Sequence, residues 1–152
     1  MRPRTPPVNV QAVLELTLDR ERRVLWASFP GTFTREDLAA LDELNDVVAA
    51  AGQPMECVYD FSQALGSGTL FRDDFIERGQ RPHAIAGMRR IVIASNPGIL
   101  NLAKTFAVSQ VMIGSSGLVI LNTPDEARQA LGHATLDLQP VDLAAVREFL
   151  RA

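Results

Sequence analysis

One cysteine, two histidines, one tryptophan and one tyrosine are all that 152 residues hold of the side chains that most often carry chemistry. With Cys57 alone, no internal disulfide can form. It stands in the apolar run 55–61 with no His or Lys beside it to lower its pKa, so a buried thiol acting as a small hydrophobe is expected. His83 and His133 fall on expected loops without triad-like companions, and no His, Cys or acid cluster has ligand spacing. The sequence therefore predicts no catalytic centre, no metal and no cofactor. A positive excess is also missing: the net charge of -3 predicts no nucleic-acid partner. No uninterrupted apolar stretch approaches the roughly 18 residues of a transmembrane helix, and the Pro-rich residues 1–11 carry no apolar segment. The expectation is a disordered leader over 1–11, a cytoplasmic location and one α/β domain over 12–152.

What is present suits an ordinary globular chain, with 47% hydrophobic and 22% charged residues. Such a length buries about 70% of the surface exposed by the unfolded chain. Residues 12–18 alternate apolar and polar side chains, and a charged turn at 19–22 leads to a second run at 24–29. The pair reads as an antiparallel hairpin. Thr34 and Asp37 then form a capping-box pattern, with Phe33 and Leu38 placed as a hydrophobic staple. Helical spacing runs through Leu38, Leu41, Leu44, Val47, Val48 and Ala51 until Gly52 stops it.

The runs 55–61, 90–95 and 118–121 are short, nearly continuous and rich in Val and Ile, as interior parallel strands are. Between and after them come a charged helix over 71–79, an apolar one over 98–112, and a third opened by Thr123-Pro124 and closed at Gly132. A last amphipathic helix, 142–151, begins at Asp142 after a connector around Gln139 and Pro140. The order β-β-α-β-α-β-α-β-α predicts an α/β fold with a mixed sheet of about five strands, an N-terminal antiparallel hairpin followed by mostly parallel strands, packed with helices.

That order carries the segments Val24-Leu25-Trp26, Phe29-Pro30-Gly31-Thr32-Phe33-Thr34-Arg35-Glu36-Asp37, Val58-Tyr59-Asp60-Phe61-Ser62 and Arg89-Arg90-Ile91-Val92-Ile93-Ala94. With them the chain resembles, over residues 13–132, the SpoIIAA-like group of the STAS-type fold. The resemblance implies a bacterial regulatory domain that docks a partner protein or binds an apolar molecule. In anti-sigma-factor antagonists of that family, a phosphorylatable serine follows the strand that ends like Asp60-Phe61-Ser62. Ser67 is the nearest match, although Gly66 and Gly68 replace the family's acidic residue and paired serine.

Two sites suggest themselves. Parallel strands present their carboxyl ends to ligands, and those ends carry Asp60 with Ser62, Ser95 with Asn96, and Asn122 with Thr123. Together with Ser67 these form a candidate edge for an anion or a partner; the competing reading is that they cap the helices that follow. The helix over 98–112 has apolar residues around more of its circumference than one sheet contact requires. Cover by the C-terminal helix, an apolar pocket walled by Trp26, Leu102 and Phe106, and a homodimer interface are the three ways to bury it. The cluster Arg72, Arg78, Arg81, Arg89 and Arg90, with His83, interrupted by Asp73, Asp74 and Glu77, reads as a solvated, salt-bridged face. Three functions follow: a noncatalytic regulatory module docking an unidentified protein through the loop and helix 62–75, a carrier or sensor of a small apolar or amphiphilic ligand, or an enzyme using the polar strand-end edge.

Overall fold

The computed structural model describes residues 14–66, 72–80, 89–114 and 118–151. The expected leader, Ser67 and His83 lie outside the described residues. The hairpin forms as read: β1 (Glu15–Asp19) pairs antiparallel with β2 (Val24–Ser28). Three further strands, β4 (Glu56–Asp60), β6 (Arg89–Ile93) and β7 (Leu118–Leu121), add in parallel beyond β2, after a two-residue β3 (Gly31–Thr32) and a short β5 (Ala64–Gly66). The main sheet runs β7-β6-β4-β2-β1-β8, where β8 is Gln139–Val141.

The sheet thus has six strands rather than about five, and the connector around Gln139 and Pro140 is its edge. Three residues with a proline at the centre give no strand signal in sequence. An edge strand tolerates proline because one side of its ladder has no partner to satisfy, and Pro140 sits opposite Thr17 of β1. The separate parallel pair β3 and β5 is a second feature too short to be read.

Helix α1 (Arg35–Ala51) starts where the capping box predicts. The Asp37 backbone N–H donates to Thr34 Oγ1 at 3.3 Å, and the Thr34 N–H donates back to Asp37 Oδ2 at 2.9 Å. Phe33 and Leu38 are buried in one cluster, and Gly52 ends the helix in the left-handed region at φ 64°. Helices α2 (Arg72–Gly79), α3 (Pro97–Met112), α4 (Pro124–Leu131) and α5 (Leu143–Arg151) complete the fold. None among the described residues is long and apolar enough to cross a membrane.

Cover of the two sheet faces is unequal. Alternation along the strands sends Leu25, Ala27, Cys57, Tyr59 and Val92 to one face, under side chains of α1, α2, α3 and α5. Val24, Trp26, Val58, Ile91 and Ile93 take the other, under Ala127 and Leu131 of α4. Helix α5 packs on α1, so the C-terminal segment belongs to the body of its own chain; α3 packs chiefly on α2. At the carboxyl end of the sheet the rings of Phe29 and Phe61 stack at 4.6 Å, with Phe33 edge-on to both at 5.1 Å. Such ring pairs add about 0.5–1.5 kcal/mol each beyond their buried area.

Asp19 ties the hairpin turn to the approach of β8. Its buried carboxylate accepts from the Arg22 N–H at 2.8 Å, from the Asp137 N–H at 2.9 Å and from the Arg22 guanidinium at 3.3 Å. Burial by itself raises the carboxyl pKa, but these donors outweigh it and hold Asp19 below the usual carboxylate value. A lowered native pKa contributes stability above the unfolded value of about 3.9, and that contribution fades as pH falls through the native value. Urea titrations should show Asp19→Asn less stable than wild type at pH 7, with the gap closing on acidification below pH ~4. Thr34→Ala should cost about 1 kcal/mol at either pH, measured in the same titrations.

Candidate functional site

The carboxyl ends of β4, β6 and β7 are adjacent in the sheet, so the residues expected there do share an edge. Their polar atoms are engaged by the chain itself. Asp60 accepts the Ser62 N–H at 2.8 Å and the Trp26 indole N–H at 3.0 Å. Asn96 caps α3 by accepting from the Gly98 N–H at 3.0 Å and the Ile99 N–H at 3.4 Å, while its amide donates to the Leu65 carbonyl. Thr123 caps α4, accepting from the Glu126 N–H at 3.2 Å. Ser95 and Asn122 are exposed. The N–H groups that an anion would use are taken by caps at two of the three positions, which is the competing reading of this edge.

A second site lies beneath α3. A partly open cavity of about 70 Å³ lies between α1, α2, α3 and the helix-rich face of the sheet. Leu102 and Phe106, expected as wall residues, line it, together with Ala103, Val92 and Leu118. Trp26 does not: its place in β2 points it to the opposite face, where Arg128 lies over the ring at 5.4 Å. The expectation failed because residues 24–27 are buried on both faces, and an unbroken apolar run carries no mark of its phase.

The wall of the cavity includes a charge. Arg90 is 2% exposed, in register beside Cys57 of β4. Its Nη2 donates to Gln110 Oε1 of α3 at 3.1 Å, and its Nε reaches no acceptor. The sequence predicts Arg90 on a solvated basic face, whereas its neighbour Arg89 is the one that lies there, ion-paired with Glu56 and donating to the Ala130 carbonyl at 2.6 Å. The missed signal was parity, since Arg90 alternates in phase with Val92 and Ala94 on the covered face.

Burial sets the protonation of this region. Desolvation pushes the Cys57 thiol up to about 12, against the smaller effects of Tyr59 and Arg90, and holds the Tyr59 phenol well above its ordinary value. The Tyr59 hydroxyl donates to the buried Asn45 Oδ1 at 2.7 Å. Burial lowers the Arg90 guanidinium, yet an arginine stays protonated at neutral pH. Asp42 also lines the cavity but is paired with Arg78 at 2.8 Å.

No protein-family model matches the chain, and no curated protein is similar to it.

Among the described residues, no group of three or more His, Cys, Asp or Glu side chains is placed to hold a metal ion. What the site offers is a largely apolar space with two guanidiniums in its wall, Arg78 paired with Asp42 and Arg90 without a carboxylate partner among the described residues. In native protein at pH 8, Ellman's reagent should label Cys57 no faster than the protein unfolds, and fully once urea is added; rapid labelling without urea would show an accessible thiolate.

Proposed function

We propose that the chain is a noncatalytic, cytoplasmic regulatory module of SpoIIAA-like type that acts by docking a protein partner. The observation that carries this reading is the outer face of α3. Ile99, Leu102, Ala103, Phe106 and Gln110 follow the spacing of one helix face and turn inward, toward the sheet and the cavity. Val108, Val111 and Met112 occupy the opposite face at 60%, 71% and 81% exposure, and Ile113 continues the patch. The apolar excess in this helix is therefore two stripes, of which the sheet covers one. Leaving three large apolar side chains on one helical stripe in water is the pattern of a surface that a partner covers.

Val108, Val111, Met112 and Ile113 are all apolar, and Ile76 of α2 joins Val108 and Met112 around a shallow groove that Lys104, one turn back along α3, also lines. A partner for this surface presents apolar side chains rather than an acidic or basic face. The loop and helix over 62–75 contribute Leu65, 78% exposed and next to the α3 cap, whereas Phe75 is buried in the core. Docking is therefore centred on α3, and residues 67–71 of the expected 62–75 segment lie outside the described residues. The element order from β1 to α4 supports the SpoIIAA-like assignment, once the two short strands β3 and β5 are set aside.

A photo-crosslinking amino acid at position 111, with position 129 on the exposed side of α4 as control, tests the surface in cells. Protein adducts at 111 and none at 129 are expected, their mass separating a second copy from another protein. Equal adducts at both positions, or none at 111, would remove the docking surface.

A further inference from the structure

Proteins bury charges with partners because an isolated ion in a medium of low polarity loses its hydration and gains nothing in return. Arg90 departs from that pattern. It is almost fully buried, it holds one neutral acceptor in Gln110, its Nε is without an acceptor, and no carboxylate pairs with it among the described residues. The two titratable groups that act on it, Tyr59 and Cys57, are kept neutral by burial and supply no counter-charge at neutral pH, and the Asp42 carboxylate in the same wall is paired with Arg78. The guanidinium nevertheless borders a cavity whose remaining walls are largely hydrocarbon.

We propose that this cavity is the binding site of a short-chain monocarboxylate, with the carboxylate held by Arg90 and the alkyl tail among Val92, Leu102, Ala103 and Phe106. A planar guanidinium with free N–H groups matches a carboxylate in shape and charge. Sulfate and phosphate fit less well, because each brings further oxygens that need donors, and Tyr59 and Asn45 are already bonded to each other. Size narrows the class further. About 70 Å³ is half of the ~150 Å³ that accommodates benzene, so the acid has roughly two to four carbons. The proposal goes beyond the docking reading and uses the inner stripe of α3, where docking uses the outer one.

Sodium butyrate, titrated into the isotopically labelled protein at constant ionic strength and followed by NMR, tests it. Saturable shifts of the Ile99, Leu102, Ala103 and Phe106 amides are expected, with butyramide binding more than about tenfold more weakly for lack of the charge and sulfate giving no saturable shift. No saturable shift with butyrate, or equal affinity for butyramide, overturns the proposal, as does tighter binding of sulfate. Arg90→Gln should lose more than about tenfold in butyrate affinity; wild-type affinity in that variant overturns the role of Arg90. Ala103→Leu keeps Arg90 and fills the cavity, so it should abolish the shifts while the rest of the spectrum stays native; unchanged binding there places butyrate elsewhere. Neither result depends on crosslinking at position 111, so the docking reading stands or falls separately.

Discussion

Parallel pairing of β4 between β2 and β6 is the constraint from which the rest of the molecule follows. Its register sets Cys57 beside Leu25 and Arg90, Tyr59 beside Ala27 and Val92, and Val58 beside Trp26 and Ile91. Because strand side chains alternate, this one alignment decides which residues enter the helix-rich layer and which meet α4. A slip of one residue would carry Arg90 under α4 and put Ile91 into the cavity wall. The phenylalanine cluster stabilises the same alignment from the carboxyl end, since Phe29 and Phe61 follow β2 and β4 directly and stack on each other.

Local chemistry was readable from sequence because its partners are three residues apart. The capping box of Thr34 and Asp37, the Asn96 and Thr123 caps, and the left-handed glycines 52 and 132 each need only the chain's immediate neighbours. Two-sided burial was not readable in the same way. In β2 and β6 nearly every position is covered, so hydrophobicity along the strand cannot report its phase, and Trp26 was expected on the wrong face. Arg90 was hidden by the same ambiguity and by the four other arginines of its cluster, of which Arg89 is solvated. The edge strand β8 escaped because its existence depends on a ladder with β1, more than a hundred residues away.

The strand-end edge and the cavity illustrate how the same fold disposes of polar groups in two ways. At the edge, hydroxyl and carboxamide oxygens satisfy helix N–H groups, leaving the termini closed to an external anion. In the helix-rich layer, polar groups are few, and two pairs lie among its apolar side chains: Tyr59 with Asn45 and Arg90 with Gln110. The first pair is neutral and complete. The second leaves a positive charge with donor capacity to spare, which is why the chemistry of the molecule gathers under α3 rather than at its more exposed edge.

That charge also bears on how α3 is rotated about its axis. Its inner stripe of Ile99, Leu102 and Phe106 and its outer stripe of Val108, Val111 and Met112 are similar in apolar content. Burying a side chain of this size contributes about 1.5–3 kcal/mol, so exchanging one stripe for the other nearly cancels. What does not cancel is Gln110. Turning it outward would leave the Arg90 guanidinium without its acceptor, at a cost of about 1.5–3 kcal/mol for a charged hydrogen bond. A difference of that size selects one rotation by more than about tenfold. The buried arginine thus holds the cavity-lining stripe inward, and by the same contact keeps Val108, Val111 and Met112 on the outside of the protein.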